Sequence, residues 1–263
     1  MAFPSIAAFA RLASGNAGAV RRIAGQSTRI TRASHDVTYE PVHDEIMVAN
    51  ANAQAVVTFR GGANGDEPPL RLIQGPHTQL QSPGYGNTID TVNDEIWVVE
   101  GRDRPGEEYL LVFPRLANGD VAPLRVIRGP DTMLKNARNV AVDPARNLVA
   151  VSSNSGVLIF NRTDNGNVKP RAVIKGLGGK FRLIPSKGLL VGTKAGGGDE
   201  DAPSSGGIGV WSITDNGNVP PLYLLSNPSG KIVGADIALN PNNKEVIVGG
   251  RLAVEIYSFP EIY

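Results

Sequence analysis

The sequence predicts an all-β chain built from repeats of four short strands, and three observations carry that prediction. An Asn-Gly turn recurs about every fifty residues, at Asn64-Gly65, Asn118-Gly119, Asn165-Gly166 and Asn216-Gly217, with a degenerate Gly15-Asn16 ahead of them. Behind each turn lies a segment of the form Pro-Leu-Arg-x-Ile-x-Gly, as in Arg71–Gly75 and Arg125–Gly129. Three further short apolar stretches then follow, the last tipped by an aromatic residue. Repeats of this length with four strands apiece are the pattern of a β-propeller.

The strands read in order as follows. The Arg-x-Ile type covers Ala19–Gly25, Arg71–Gly75, Arg125–Gly129 and Ala172–Gly176, with a weaker Tyr223–Asn227. The first strands of the repeats are Asp36–Glu40, Thr88–Val92, Asn139–Asp143, Lys180–Ile184 and Asp236–Asn240. The second strands are Glu45–Ala49, Glu95–Val99, Leu148–Val151, Leu189–Gly192 and Glu245–Val248. The aromatic-tipped strands are Ile6–Arg11, Val56–Arg60, Tyr109–Phe113, Val157–Phe160, Ile208–Ser212 and Val254–Phe259. Each is short and apolar or alternating, as half- or fully buried strands are.

Five first strands, five second strands and five Arg-x-Ile strands set the count at five four-stranded antiparallel blades, with six the rival number. Ala19–Gly25 is expected to complete the last blade beside residues 234–259, so that N- and C-terminal strands close it and hide an edge. The spare strand Ile6–Arg11 either pairs outside Ala19–Gly25 or displaces Val254–Phe259; alternatively residues 1–13 form a loose arm. No linker interrupts the repeats, so residues 1–263 are expected to form one domain.

Charge is nearly balanced, with 26 Lys+Arg against 25 Asp+Glu, which speaks against nucleic acid or an anionic membrane as a partner. With no cysteine in the chain, disulfides and thiolate chemistry are excluded. Met1–Ala13 is apolar but lacks a basic leader, and Arg11 interrupts it, so no signal peptide is expected and a soluble, cytoplasmic protein is the reading. The 31 Gly and 19 Pro fit a fold of many tight turns.

Asn139-Val140-Ala141-Val142-Asp143-Pro144, followed by Asn147–Val151 and Val157–Phe160, resembles an NHL-type propeller repeat; Asp236–Pro241 is a second match, and Phe181–Pro185 a poor one. The resemblance implies that the Asp/Asn-initiated strand is innermost and the Arg-x-Ile strand outermost. Ligands would then meet the chain where the inner strands begin. Those starts are Asp36, Gly86, Asn139, Lys180 and Asp236, with His35, Tyr85, Asn87 and Arg138 beside them.

Two carboxylates, Asp36 and Asp236, divide acid and base roles or hold a hard cation. The chain is also similar, more weakly, to the senescence-marker/gluconolactonase propellers, whose divalent-metal site implies a Ca- or Mg-like ion on Asp36, Asn139 and Asp236. Lys180 argues against that ion by charge and suits an anionic substrate or an activated amine. The expected catalytic set is therefore Asp36, Asp236, Lys180 and His35. Asn139, Arg138, Tyr85, Asn87, His77 and Arg251 are expected to bind a small-molecule ligand at the tunnel mouth. An Asp or Asn at such a position equally serves to cap a turn. No nicotinamide, flavin or phosphate-loop motif is present.

Two readings of function follow, and the first is the one favoured. One is an enzyme on a small polar molecule, a lactone or ester hydrolase or a related lyase or isomerase. The other is a non-catalytic ligand- or protein-binding scaffold, with the long loops 100–108 and 194–206 as a lid or partner surface.

Overall fold

The computed structural model describes residues 4–32, 34–101, 106–194, 207–226, 236–249 and 253–263. The chain forms two compact units, residues 1–103 with 110–126 and residues 104–109 with 127–263.

The first unit opens with β1 (Ile6–Ala8) and β2 (Arg21–Ile23), paired antiparallel with Ile6 opposite Ile23. Sheet one follows, with β3 (Ser34–Glu40), β4 (Glu45–Asn50), β5 (Ala55–Arg60) and β6 (Arg71–Gln74) in sequential order. Sheet two repeats that order in β7 (Asn87–Asp90), β8 (Glu95–Glu100), β9 (Tyr109–Pro114) and β10 (Arg125–Ile127). The second unit holds sheet three, of β11 (Val140–Asp143), β12 (Leu148–Ser153), β13 (Gly156–Asn161) and β14 (Ala172–Lys175). Sheet four is β15 (Leu177–Ile184), β16 (Leu189–Lys194), β17 (Ile208–Ser212) and β19 (Tyr223–Leu225); the two-residue β18 (Gly217–Asn218), which precedes β19 in the chain, instead joins sheet three in parallel with β14. Sheet five has, among the described residues, β20 (Asp236–Asn240), β21 (Glu245–Gly249) and β22 (Val254–Ser258). Five successive sheets with one shared strand order make this an all-β, five-bladed β-propeller.

Where the strands differ from expectation, local hydrogen bonds explain it. Sheet two's first strand stops at Asp90 instead of reaching Val92, because the Asp90 carboxylate accepts the Val92 and Asn93 N–H groups at 2.9 and 3.1 Å and turns the chain. The same turn is made at Glu40, which accepts from Val42 and His43, and at Asp143, which accepts from Arg146. The spare strand β1 pairs with β2 in the register that the third strand β5 keeps with β6, where Val56 faces Ile73. Its aromatic, Phe9, is 55 % exposed, whereas Phe59, Phe113 and Phe160 are fully buried. The described strand pairs place β2 beside β1, and none of them joins it to sheet five.

Burial on both faces explains the continuous apolar runs in β4, β8, β9 and β12. In the second unit Leu148, Ile159, Phe181, Leu190 and Trp211 form one core between sheets three and four. Val191, Val210, Ile237, Val246 and Phe259 form another between sheets four and five. In the first unit Ile23, Ile46, Val57 and Phe59 pack together.

The recurring Asn-Gly turn is a clip between repeats. Gly65 bridges Ile23 in parallel, Gly119 bridges Ile73, Gly166 bridges Ile127 and Gly217 bridges Ile174. Asn64, Asn118 and Asn216 each accept, through Oδ1, the N–H of the residue before the bridged isoleucine, at 3.1, 2.9 and 3.0 Å. The residue after the first three of these glycines reaches further: Asp66 accepts the Ser27 N–H, Asp120 the His77 N–H and Asn167 the Asp131 N–H, all at 2.7–2.8 Å. That contact dictates a glycine at positions 25, 75 and 129. Their φ angles of 135–137° suit only glycine, and a Cβ would overlap the Asp66, Asp120 or Asn167 side chain. Three residues on, Thr28, Thr78 and Thr132 donate to those glycine carbonyls at 2.6–2.7 Å and so close the turn.

Candidate functional site

The strand pairing fixes which residues correspond between repeats. Counting four back from Glu40, Asp90, Asp143, Ile184 and Asn240, which face the second-strand starts, gives Asp36, Gly86, Asn139, Lys180 and Asp236. The expected alignment of first-strand starts therefore holds.

At two of these positions the side chain holds the next first strand. Asp36 is 2 % exposed, and its Oδ2 accepts the N–H of Asn87 at 3.1 Å. Asn139 is 1 % exposed, and its Oδ1 accepts the N–H of Phe181 at 3.0 Å. Asn87 and Phe181 occupy the same register position, one residue after the start. A carboxylate and a carboxamide thus make one and the same clasp, which needs an acceptor oxygen but no charge. Gly86 and Lys180 have no side-chain acceptor to offer.

Asn87 also returns a bond from Nδ2 to the Asp36 carbonyl at 3.3 Å. Its buried Oδ1 has no hydrogen-bond partner among the described residues.

Beyond the clasps the second unit carries a more open polar group. Asp236, with its side chain 44 % exposed, pairs with Arg182 of the neighbouring first strand at 3.2 Å. Its Oδ1 also accepts its own strand's Ile237 N–H at 2.8 Å. Lys180 is half-buried on β15, where Gly178 and Gly179 accompany a break in the register between Leu177 and Phe181. Arg138 is half-buried, its Nε donating to Asn136 Oδ1 at 2.7 Å and its N–H to Ser152 Oγ at 2.9 Å.

The remaining expected residues scatter. His35 lies on β3, Tyr85 is half-buried before β7, and Arg251 lies outside the described residues, as do 102–105 and 195–206 of the two long loops. His77 belongs to a clip: its ring Nδ1 is 2.6 Å from Asp120 Oδ2. The expected divalent-metal set does not fit its donors. Asp36 and Asn139 are buried with an oxygen already engaged by backbone N–H, and no group of three or more His, Asp or Glu suited to a metal ion occurs among the described residues.

Residues that hold the approach to the first strands went unread in the sequence. Asn50 takes the Thr31 N–H on Oδ1 and donates Nδ2 to the Arg29 carbonyl at 2.6 Å. Glu100 accepts the N–H groups of Gln81 and Ser82 at 3.2 and 2.9 Å. Ser152 accepts those of Arg138 and Asn139, both at 2.9 Å. The available signal was a polar residue ending an otherwise apolar second strand, where an unpaired polar group is costly.

No family model matches the chain, and no curated protein matches it. Among solved structures it is similar to a functionally unknown protein from Desulfotomaculum acetoxidans, at 15 % identity and a TM-score of 0.59, over 92 % of this chain and 72 % of that one. The β-propeller domain of Myceliophteria thermophila Cps50 (Swd1) matches at 11 % identity and a TM-score of 0.59, over 88 % and 67 %. A candidate 6-phosphogluconolactonase from Bacteroides uniformis matches at 14 % identity and a TM-score of 0.51, over 93 % and 70 %. At these identities the likeness shows the β-propeller fold and nothing finer.

Proposed function

We propose that this protein is a non-catalytic, ligand-binding β-propeller scaffold. One observation carries the reading: Asp36 and Asn139, which the sequence offers as an acid–base residue and its orienter, make the same strand-to-strand clasp. A general base needs reach to a substrate proton, and a buried carboxylate accepting a backbone N–H is poorly placed for it.

A second reading is favoured by a different observation. Asp236 is accessible, Arg182 is 3.2 Å from it, and Lys180 lies two residues before Arg182 on β15. A carboxylate beside one cation, with a second cation on the same strand, suits hydrolysis of a small lactone or ester. Asp236 would deprotonate water, the water oxygen would attack the carbonyl, and Lys180 or Arg182 would steady the oxyanion; as it collapses, the ring C–O bond breaks and Asp236 returns its proton to the ring oxygen, which leaves as a hydroxyl. The likeness to a candidate 6-phosphogluconolactonase is compatible with this chemistry.

Acid release from a panel of lactones and esters, followed by pH-stat, separates the two readings. The scaffold reading expects no rate above buffer for the native protein. Turnover that is lost in Asp236→Asn and kept in Asp36→Asn would replace it with the hydrolase.

A further inference from the structure

The Gly-x-x-Thr turn of the clip is shared by the first three repeats, so a departure confined to one of those three and lying in a cavity is informative. Repeat one departs at three neighbouring positions. After the required glycine, repeats two and three continue Pro76-His77-Thr78-Gln79 and Pro130-Asp131-Thr132-Met133; repeat one continues Gln26-Ser27-Thr28-Arg29. The fourth residue is left-handed in all three, with φ of 60°, 60° and 58° for Arg29, Gln79 and Met133. The backbone is therefore common and the side chains alone differ. Serine replaces the larger His77 and Asp131, glutamine replaces proline, and an arginine replaces an uncharged residue.

These changes line a groove of about 650 Å³ in the first unit. It is lined by Gln26, Ser27 and Arg29, by Pro68 to Leu72 and by Asn118. The lining includes two arginines, Arg29 and Arg71, and no Asp or Glu, although the Asp66 carboxylate accepts from the Ser27 N–H and hydroxyl at 2.7 and 3.2 Å. Arg71 is held by Glu45 at 2.6 Å, and Asn118 Oδ1 is engaged by the Leu72 N–H. The side chains of Arg29 and Gln26 are different: neither makes a hydrogen bond or ion pair with the described residues. Pro68, Pro69 and a half-exposed Leu70 add apolar surface to the same lining.

We infer that this groove binds a small organic anion, its carboxylate or phosphate head on the Arg29 guanidinium and the Gln26 amide, and its apolar body along Pro68–Leu70. Arginine presents a planar fork of donors matched to both head groups. The site is independent of the functional reading above, since it shares no residue with the Asp36, Asn139 or Asp236 surroundings.

The test is a titration of the full chain with hexanoate, hexyl phosphate, inorganic phosphate and 1-hexanol, followed by backbone amide NMR. Arg29→Gln copies repeat two, so the variant keeps a side chain that the same left-handed backbone already carries. The expected result is saturable binding of hexanoate or hexyl phosphate, with shifts at Ser27–Ile30 and Leu70–Leu72. Affinity should fall at least about tenfold in Arg29→Gln, as loss of a charge-assisted contact implies, and persist in a control Gln79→Arg. Whichever of the two amphiphiles binds tighter identifies the head group, and inorganic phosphate measures the head alone. Failure of both amphiphiles to bind, equal binding by Arg29→Gln, or equal binding of hexanol would each overturn the inference.

Discussion

Sheets one and three solve the same packing problem with opposite chemistry. In sheet one Glu45 at the start of β4 faces Arg71 on β6, 2.6 Å apart with both side chains largely buried, and Arg115 adds a 3.4 Å contact. Sheet two repeats the pair as Glu95 and Arg125 at 2.7 Å, with the Arg125 guanidinium 5.6 Å from the Trp97 ring centre. In sheet three the same two positions are Leu148 and Ala172. Both charged partners are absent together. The arginine of the Pro-Leu-Arg-x-Ile segment is therefore one half of a buried pair, and a sheet without the pair folds with apolar residues in its place. This agrees with the general behaviour of buried ion pairs, which are costly to break and cheap to replace whole.

The comparison is broken most directly by converting sheet one into sheet three. Glu45→Leu alone leaves the Arg71 guanidinium buried without its partner and should cost about 3–5 kcal/mol in urea unfolding. Glu45→Leu with Arg71→Ala should recover most of that loss. Equal destabilisation of the single and double variants would mean that the pair is not the unit.

A smaller effect is expected where the repeats agree. Gly75→Ala and Gly129→Ala force a residue with a Cβ into a left-handed conformation against Asp120 or Asn167, and each should cost about 1–3 kcal/mol. Gly65→Ala, with φ of 67° but nothing within 4 Å of its Cβ, should cost less than either. The difference between the two classes measures the clip contact apart from the backbone term.

Smaller again is a pH effect at the second clip. Burial raises the Asp120 carboxyl, but bonds from the His77 ring and backbone N–H outweigh it, and the group titrates below its ordinary value. A lowered folded pKa contributes stability above the unfolded value, near about 3.9, and loses it as pH falls through the folded value. Acid unfolding below roughly pH 4 should therefore be less steep in Asp120→Asn than in the native protein, monitored by circular dichroism. Identical acid profiles would remove the clip from the account.

The smallest expected effect is none. Ca²⁺ or Mg²⁺ should leave the Tm unchanged, because Asp36 and Asn139 are buried and engaged. A metal bound only by the folded state would stabilise it by about 2.7 kcal/mol at a hundredfold excess over Kd, and such a rise would reinstate the metal set.

Much of the fold was legible because repetition multiplies weak signals. The Asn-Gly turns, the strand order and the first-strand alignment all follow from a period that four or five copies reinforce. The strand ends were not legible where a side chain stops them, as Asp90 does. The site was read less well, for a related reason. Asp36 and Asn139 differ in residue type, and difference between repeats looks like a specialised pocket. Only the register shows that Oδ2 of one and Oδ1 of the other accept equivalent N–H groups. Conversely, Gln26 and Arg29 stand in a conserved turn frame and drew no notice, because their consequence is a groove formed with Pro68–Leu72, some forty residues away in the chain.

The central claim is that Asp36 is a clasp whose charge is dispensable, and urea unfolding of Asp36→Asn beside Asp36→Ala tests it most directly. The account predicts that the asparagine variant unfolds within about 1 kcal/mol of the native protein, as Asn139 does the same work, while the alanine variant loses about 1–3 kcal/mol by stranding the Asn87 N–H. Equal stability of Asp36→Ala and the native protein, or equal damage by both substitutions, would contradict it.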